Sequence, residues 1–150
     1  GEGSDTLIGI ENIGGSVFND TLIGDAGNNL IMGFEGSDIL TGGAGGDRFI
    51  YNSAFDSIVG NMDTITDFSA SGEDILDISA FSQGVFGYLG DYTTGLEVAF
   101  SGSGNTEARF NSTTKLLEID SDGDANKDME IKLENTQAEN LDEHNFNTVA

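Results

Sequence analysis

The sequence contains no cysteine, no proline and no tryptophan, and only one histidine and five lysines and arginines in 150 residues. Each absence removes a class of chemistry. Without cysteine there is neither a disulfide framework nor a thiolate zinc site, although secreted proteins need no cysteine and the compartment stays open. With His144 as the single histidine there is no HExxH helix, and no Ser-His-Asp pairing inside a plausible pocket can be argued. His144 therefore reads as a surface residue near the C-terminus, and the chain reads as non-enzymatic. So few basic residues speak against nucleic acid and anionic membrane as partners. No apolar run is long enough to cross a bilayer. No signal peptide stands at the N-terminus, and the first residues already lie inside a repeat, so the chain is expected to be a piece of something longer.

What the sequence has is acid and glycine. There are 27 Asp and Glu, giving a formal net charge of −22, together with 22 Gly. Glycine raises the backbone entropy lost on folding, so such a chain needs a compensating interaction. The charge points to cations. The plainer readings are halophilic solubility or a disordered acidic tail. Against them, the acids are spaced rather than blocked, and they alternate with Leu, Ile and Phe.

The spacing is nine. Asp20, Asn29, Asp38 and Asp47 share one register, and Leu22, Ile31, Leu40 and Phe49 share a second, which Ile13 extends upstream. The blocks are GSVFNDTLI, GDAGNNLIM, GFEGSDILT and GGAGGDRFI, preceded by a partial block, GEGSDTLI, at residues 1–8. The GIENIG between them keeps a strand around Ile13 on a shortened turn, Gly9–Glu11, that has no position-six Asp and is expected to bind nothing. Each nonad makes a six-residue turn and a three-residue strand. Glycine permits the reversal, and the apolar residue at position eight points inward because alternate strand residues face opposite ways. Two nonads complete a coil, so turns 18 residues apart stack about 4.8 Å apart. Stacked carboxylates at ~5 Å would repel by about 3 kcal/mol at an effective dielectric of ~20. A Ca²⁺ ion between them would meet the six to eight oxygens it prefers, and G-G-x-G-x-D-x-U-x is a calcium-binding β-helix repeat.

The ligands expected on this basis are mostly backbone carbonyls. They come from turn residues Gly15 and Val17, then Gly24, Ala26 and Gly27, then Gly33, Glu35 and Gly36, and finally Gly42, Ala44 and Gly45. The side chains are those of Asp5, Asp20, Asn29, Asp38 and Asp47. About three to four ions are expected. Asn29 lacks a charge and marks the weakest site. Phe18 stands where position four is usually Gly and makes its turn bulkier. With a thin apolar core, the roll is expected to be loose or unfolded without calcium, so that binding and folding are one event.

These nonads resemble those of the repeats-in-toxin (RTX) proteins. The following GGAGGDRFIYNSAFDSIVGNMDTITDFSASGEDILDISAF resembles the segment after the last nonad of serralysin-type C-terminal domains. LLEIDSDGDANKDMEIKLEN and LDEHNFNTV are similar to the end of type I secretion substrates. The match is weakest at residues 83–107. The resemblance implies a C-terminal secretion signal read by an ABC-type transporter complex of a Gram-negative bacterium, export of the unfolded chain, and folding outside the cell or on its surface. It also implies an acidic pair that closes a further site after the last nonad. Asp56 and Asp63 match that pair in position, and ordinary loop acids are the alternative.

The expected fold is all-β: a short right-handed parallel β-roll over residues 1–50, with residues 51–150 as an antiparallel cap and secretion-signal region packed on it as one continuous domain. Strands are expected at residues 64–68, 75–78, 96–100, 108–110, 115–119 and 129–133, since solenoids need capped ends. Asp120, Asp122, Asp124, Asn126 and Asp128 alternate like an EF-hand loop. Ala125 and Ile131 stand where that loop needs Gly and Glu, so a solvated hairpin loop is favoured over a calcium site. The expected function is a monomeric calcium-dependent folding and secretion module of a larger secreted protein, foremost an adhesin. The alternative is an accessory R-module of a secreted enzyme such as an alginate epimerase, metalloprotease or lipase, with its catalytic site elsewhere. Ice or surface binding would need a flat threonine array, which Thr6, Thr21 and Thr41 do not form.

Overall fold

A computed structural model describes residues 11–69, 73–93, 95, 98–136 and 141–148. Among these there is no α-helix; the elements are twelve strands and short 3₁₀ turns. The strands are β1 (Asn12–Gly14), β2 (Thr21–Ile23), β3 (Leu30–Met32), β4 (Ile39–Thr41), β5 (Arg48–Ile50), β6 (Asp63–Ile65), β7 (Ile75–Asp77), β8 (Gly87–Tyr92), β9 (Glu107–Asn111), β10 (Leu116–Asp120), β11 (Met129–Leu133) and β12 (Phe146–Asn147).

Three-residue strands alternate between two sheets because each nonad reverses the chain once. One sheet runs β1-β3-β5-β7-β12, the other β2-β4-β6-β11-β10-β9-β8. Pairing is parallel through the first sheet and through β2-β4-β6-β11 in the second. The inward positions form two continuous columns. Ile13, Ile31, Phe49, Leu76 and Phe146 pair in turn on one sheet. Leu22, Leu40, Ile65 and Leu133 do so on the other. Of these nine residues all but Leu22 are buried, and Leu22 packs against them.

The parallel coil does not stop at Ile50. β6 and β7 add another coil, made longer by its connections. Aligned residues lie 18 apart in the nonads but 25 apart from β4 to β6 and 27 apart from β5 to β7. The extra length holds a 3₁₀ turn, Ala54–Ser57, closed by a Ser53–Asp56 capping box.

β11 joins roll to cap. It lies parallel to β6 on one side and antiparallel to β10 on the other. β10 and β9 are antiparallel, as expected, but β8 and β9 are parallel, with a bulge between Tyr88 and Asp91. β8 lies outside the expected strands. Of the strand expected at 96–100, Leu96 and Glu97 lie outside the described residues, and 98–100 form no strand. Phe100 instead lies under the Arg109 guanidinium, 4.3 Å from the ring centroid.

Candidate metal centre

The turns preceding β2, β4 and β6 stack along one edge of the roll, and those preceding β3, β5 and β7 along the other. On each edge the position-six side chains form a ladder. Asp38 Oδ1 accepts the Asp20 N–H at 2.8 Å, and Asp63 Oδ1 accepts the Asp38 N–H at 2.8 Å. On the opposite edge Asp47 Oδ1 accepts the Asn29 N–H at 2.8 Å, and Asp74 Oδ1 accepts the Asp47 N–H at 2.9 Å. Stacked acids thus meet backbone donors with one oxygen, rather than facing each other directly.

The second oxygen differs along the ladder. In the first turns it closes the turn locally: Asp20 Oδ2 accepts from the Ser16 N–H and hydroxyl, and Asn29 Oδ1 from the Asp25 N–H. In the next turns the residue at that position, Phe34 or Gly43, has a left-handed backbone with φ of 66° or 102°. The Gly43 N–H donates to Asp67 Oδ2 instead. Asp38 Oδ2, Asp47 Oδ2 and Asp63 Oδ2 are buried without a hydrogen-bond partner. A buried carboxylate oxygen in that state is expensive and calls for a cation or a proton. Burial accordingly pushes the Asp38 carboxyl up to about 6 and the Asp63 carboxyl up to about 7, with neighbouring carboxylates adding to both. Asp47 and Asp74 are raised for the same first reason.

Glycine opens each cradle. A Cβ on Gly33 would stand 2.1 Å from Asp38 Oδ2, and one on Gly42 2.3 Å from Asp47 Oδ2. A Cβ on Gly15 would meet the Gly33 carbonyl oxygen at 2.7 Å, and one on Gly24 the Gly42 carbonyl oxygen at 2.2 Å. The first glycine of each block thus sits beside a position-six side chain, and Gly15 and Gly24 also lie beneath a carbonyl of the next coil. Carbonyls and carboxylates packed this closely form a hard-oxygen donor set, which suits calcium.

Of the residues expected at the site, the four first glycines, Asp20, Asn29, Asp38, Asp47 and Asp63 come together in this way. Val17, Ala26, Gly27, Glu35, Gly36, Ala44 and Gly45 lie on the outer turns, with the Gly27 carbonyl oxygen 3.0 Å from where a Gly45 Cβ would be. Asp56 is buried beside Asp38 and Asp63, and its Oδ2 accepts from the Asn52 and Ser53 N–H groups. Asp5 lies outside the described residues. Two acids that sequence reading missed belong to the same edge as Asp47. Asp74 continues its ladder, and Asp67 accepts from the Gly42 and Gly43 N–H groups at 2.9 and 2.8 Å. The signal was a third rung on that edge, hidden because its offset is 27 rather than 18.

A second acidic group lies in the cap, where Asp120, Asp122 and Asp124 bring ligand oxygens within 4.8 Å of one another. Here the carboxylates serve their own loop. Asp120 accepts from the N–H groups of Gly123, Asp124 and Ala125, and Asp128 from the Ser121 N–H and hydroxyl.

The family model for the peptidase M10 serralysin C terminal matches residues 1–143. The chain belongs to this family. As a serralysin C-terminal, RTX-type domain it is similar in structure to the AlgE6R3 subunit of the Azotobacter vinelandii mannuronan C5-epimerase. The identity is 25% and the TM-score 0.56, over 97% of this chain and 83% of that one. The AlgE6R2 subunit of the same epimerase is 24% identical with a TM-score of 0.44, over 91% of each chain. No curated protein sequence matches this serralysin C-terminal domain.

Proposed function

We propose that this chain is a calcium-dependent folding module of a larger secreted protein. The observation that carries the reading is the set of three buried carboxylate oxygens at Asp38, Asp47 and Asp63 with no partner in the protein. The ions would be held by Asp20 with Asp38, by Asn29 with Asp47, by Asp38 with Asp56 and Asp63, and by Asp47 with Asp67 and Asp74, each completed by turn carbonyls. Bound calcium supplies positive charge that compensates the buried acid and binds the oxygens left over. The chain's own part is to place those oxygens. The nonad turns stack them, the glycines keep the cradles open, and the backbone N–H ladder fixes one oxygen of Asp38, Asp47 and Asp63 while the other stays free.

Family membership supports the rest. A chain that cannot close its roll without calcium would stay open inside the cell, pass an ABC-type type I exporter, and fold where calcium is abundant. Chelation is expected to remove most β-sheet circular dichroism, and millimolar calcium to restore it. A full sheet spectrum in chelator would sink the proposal.

Two parents fit. An adhesin is the reading taken from the sequence. The likeness to the AlgE6R3 subunit supports the other, an accessory module of a polysaccharide-modifying enzyme. Alginate binding measured with and without calcium separates them. Absence of binding in both conditions discards the second reading.

A further inference from the structure

Tyr51 follows β5 directly and turns its side chain into the interior, where it is 1% exposed. Its hydroxyl faces Asp63 without ordinary hydrogen-bond geometry, and it has no other partner. The same residue lies in the field of Asp38 and Asp56. Three acids therefore surround one phenol, and the nearby Asp63 Oδ2 and Asp38 Oδ2 are themselves unpartnered. Packing alone does not account for a hydroxyl there, because phenylalanine would fill the ring space without burying an unsatisfied polar group. A phenol is a donor and a weak ligand, so its chemistry beside a metal-binding carboxylate is to hold that carboxylate in place.

We propose that Tyr51 is a positioning residue for the cation site of Asp38 and Asp63, its hydroxyl donating to the Asp63 carboxylate when the site is filled. The proposal rests on the calcium reading above and extends it from carboxylates to a residue behind them. It assigns the phenol opposite effects in the two states. Without a cation the hydroxyl is an unsatisfied buried group. With one, it gains an ionised acceptor whose other oxygen is occupied.

The test is Tyr51→Phe. The midpoint of calcium-induced folding, followed by circular dichroism, is expected to rise by about tenfold, the scale of losing a partner behind a metal ligand. In an Asp63→Asn background the same change is expected to add no further shift, since the acceptor is no longer a carboxylate. An unchanged midpoint, or an equal shift in both backgrounds, overturns the proposal.

A second measurement covers the case in which Tyr51→Phe does not fold. The chain has three tyrosines and no tryptophan. Tyr88 and Tyr92 lie on β8, four strands from β6 and so ~19 Å away at the usual strand spacing. Terbium bound in place of calcium should then emit when tyrosine is excited, and the emission should survive Tyr88→Phe and Tyr92→Phe. Loss of emission in either variant, or none in the wild type, overturns the proposal. A wild type fully folded in chelator removes the folding reading instead, and the terbium emission still decides for or against Tyr51.

Discussion

In the cap, Glu118 is 5% exposed and both its oxygens are taken: Lys127 donates to one at 2.8 Å, Arg109 and Tyr92 to the other at 2.8 and 2.6 Å. In the roll, Asp38, Asp47 and Asp63 are buried more deeply, and each keeps one oxygen without a partner. The basic residues follow the same division. Arg109, Lys115, Lys127 and Lys132 lie in the cap, while the roll has only Arg48, which reaches Asp77 at 3.5 Å. Burial acts on both sets of carboxylates. At Glu118 the surrounding donors outweigh it, and its carboxyl stays below its usual range. At Asp38 and Asp63 nothing in the protein does, and both carboxyls rise. The cap is built to be complete as a protein. The roll is built with part of its charge balance left to solution.

The largest expected effect of this contrast is on pH. Asp63 has a carboxyl raised from 3.8 to about 7 in the metal-free fold. A carboxyl raised on folding binds its proton more tightly in the native state. The resulting stability is fully present below about 4 and is lost as pH rises through about 7. For Asp63 that loss amounts to about 4 kcal/mol, and Asp38, raised to about 6, adds to it between about 4 and 6. In chelator, moving from pH 8 to pH 5 should therefore recover sheet structure in the roll, where an ordinary acidic surface would show no such gain. Urea unfolding of the metal-free chain across that range measures it. Stability that is flat or rising toward pH 8 would break the comparison.

The cap should respond to its own substitutions, not to calcium. Glu118→Gln keeps the shape but removes the charge that Lys127 and Arg109 share. It is expected to destabilise by about 2 kcal/mol, the scale of hydrogen bonds to a charged group. The loss should be similar at saturating calcium and at pH 5 in chelator, since no roll oxygen is involved. A loss confined to the calcium-loaded chain would mean that the two regions share their charge balance.

How much of this was legible in the sequence also divides at the end of the nonads. Up to Phe49 a fixed period places every inward residue and every rung of the ladder, because each coil repeats one backbone. After Ile50 the coil persists but the period does not. Asp74 occupies a rung that only the folded alignment shows, and Asp67 reaches back to Gly42 and Gly43 from an irregular connection. β8 left no strand signal, since Gly87, Gly90 and a bulge interrupt its alternation. β12 is two residues long and exists because the β7 edge accepts it in parallel. Val98–Phe100 is an apolar run that reads as a strand yet forms none, and Phe100 there packs under the Arg109 guanidinium. The left-handed Phe34 was equally hidden. Its position in the block normally goes to glycine, and Phe34 keeps the backbone of Gly43 without its freedom.

Within the roll itself the two edges also differ, and Asn29 offers the finest test. Its Oδ1 closes its own turn on the Asp25 N–H, while the backbone N–H of Asn29 donates to Asp47. The same place on the other edge is Asp20, which makes the same local closure and adds a full charge. Asn29→Asp makes the two edges alike. Two effects then oppose each other. The added carboxylate raises repulsion with Asp47 and Asp25 in the metal-free chain, and it strengthens cation binding between the stacked turns. The calcium midpoint is expected to fall by less than about tenfold, or roughly 1 kcal/mol, while metal-free stability at pH 8 declines. Calorimetric titration with calcium reads the first and urea unfolding in chelator the second. If the calcium midpoint rose or stayed unchanged while metal-free stability declined, Asn29 would be acting as a turn residue only, and the charge contrast between the edges would not govern cation binding.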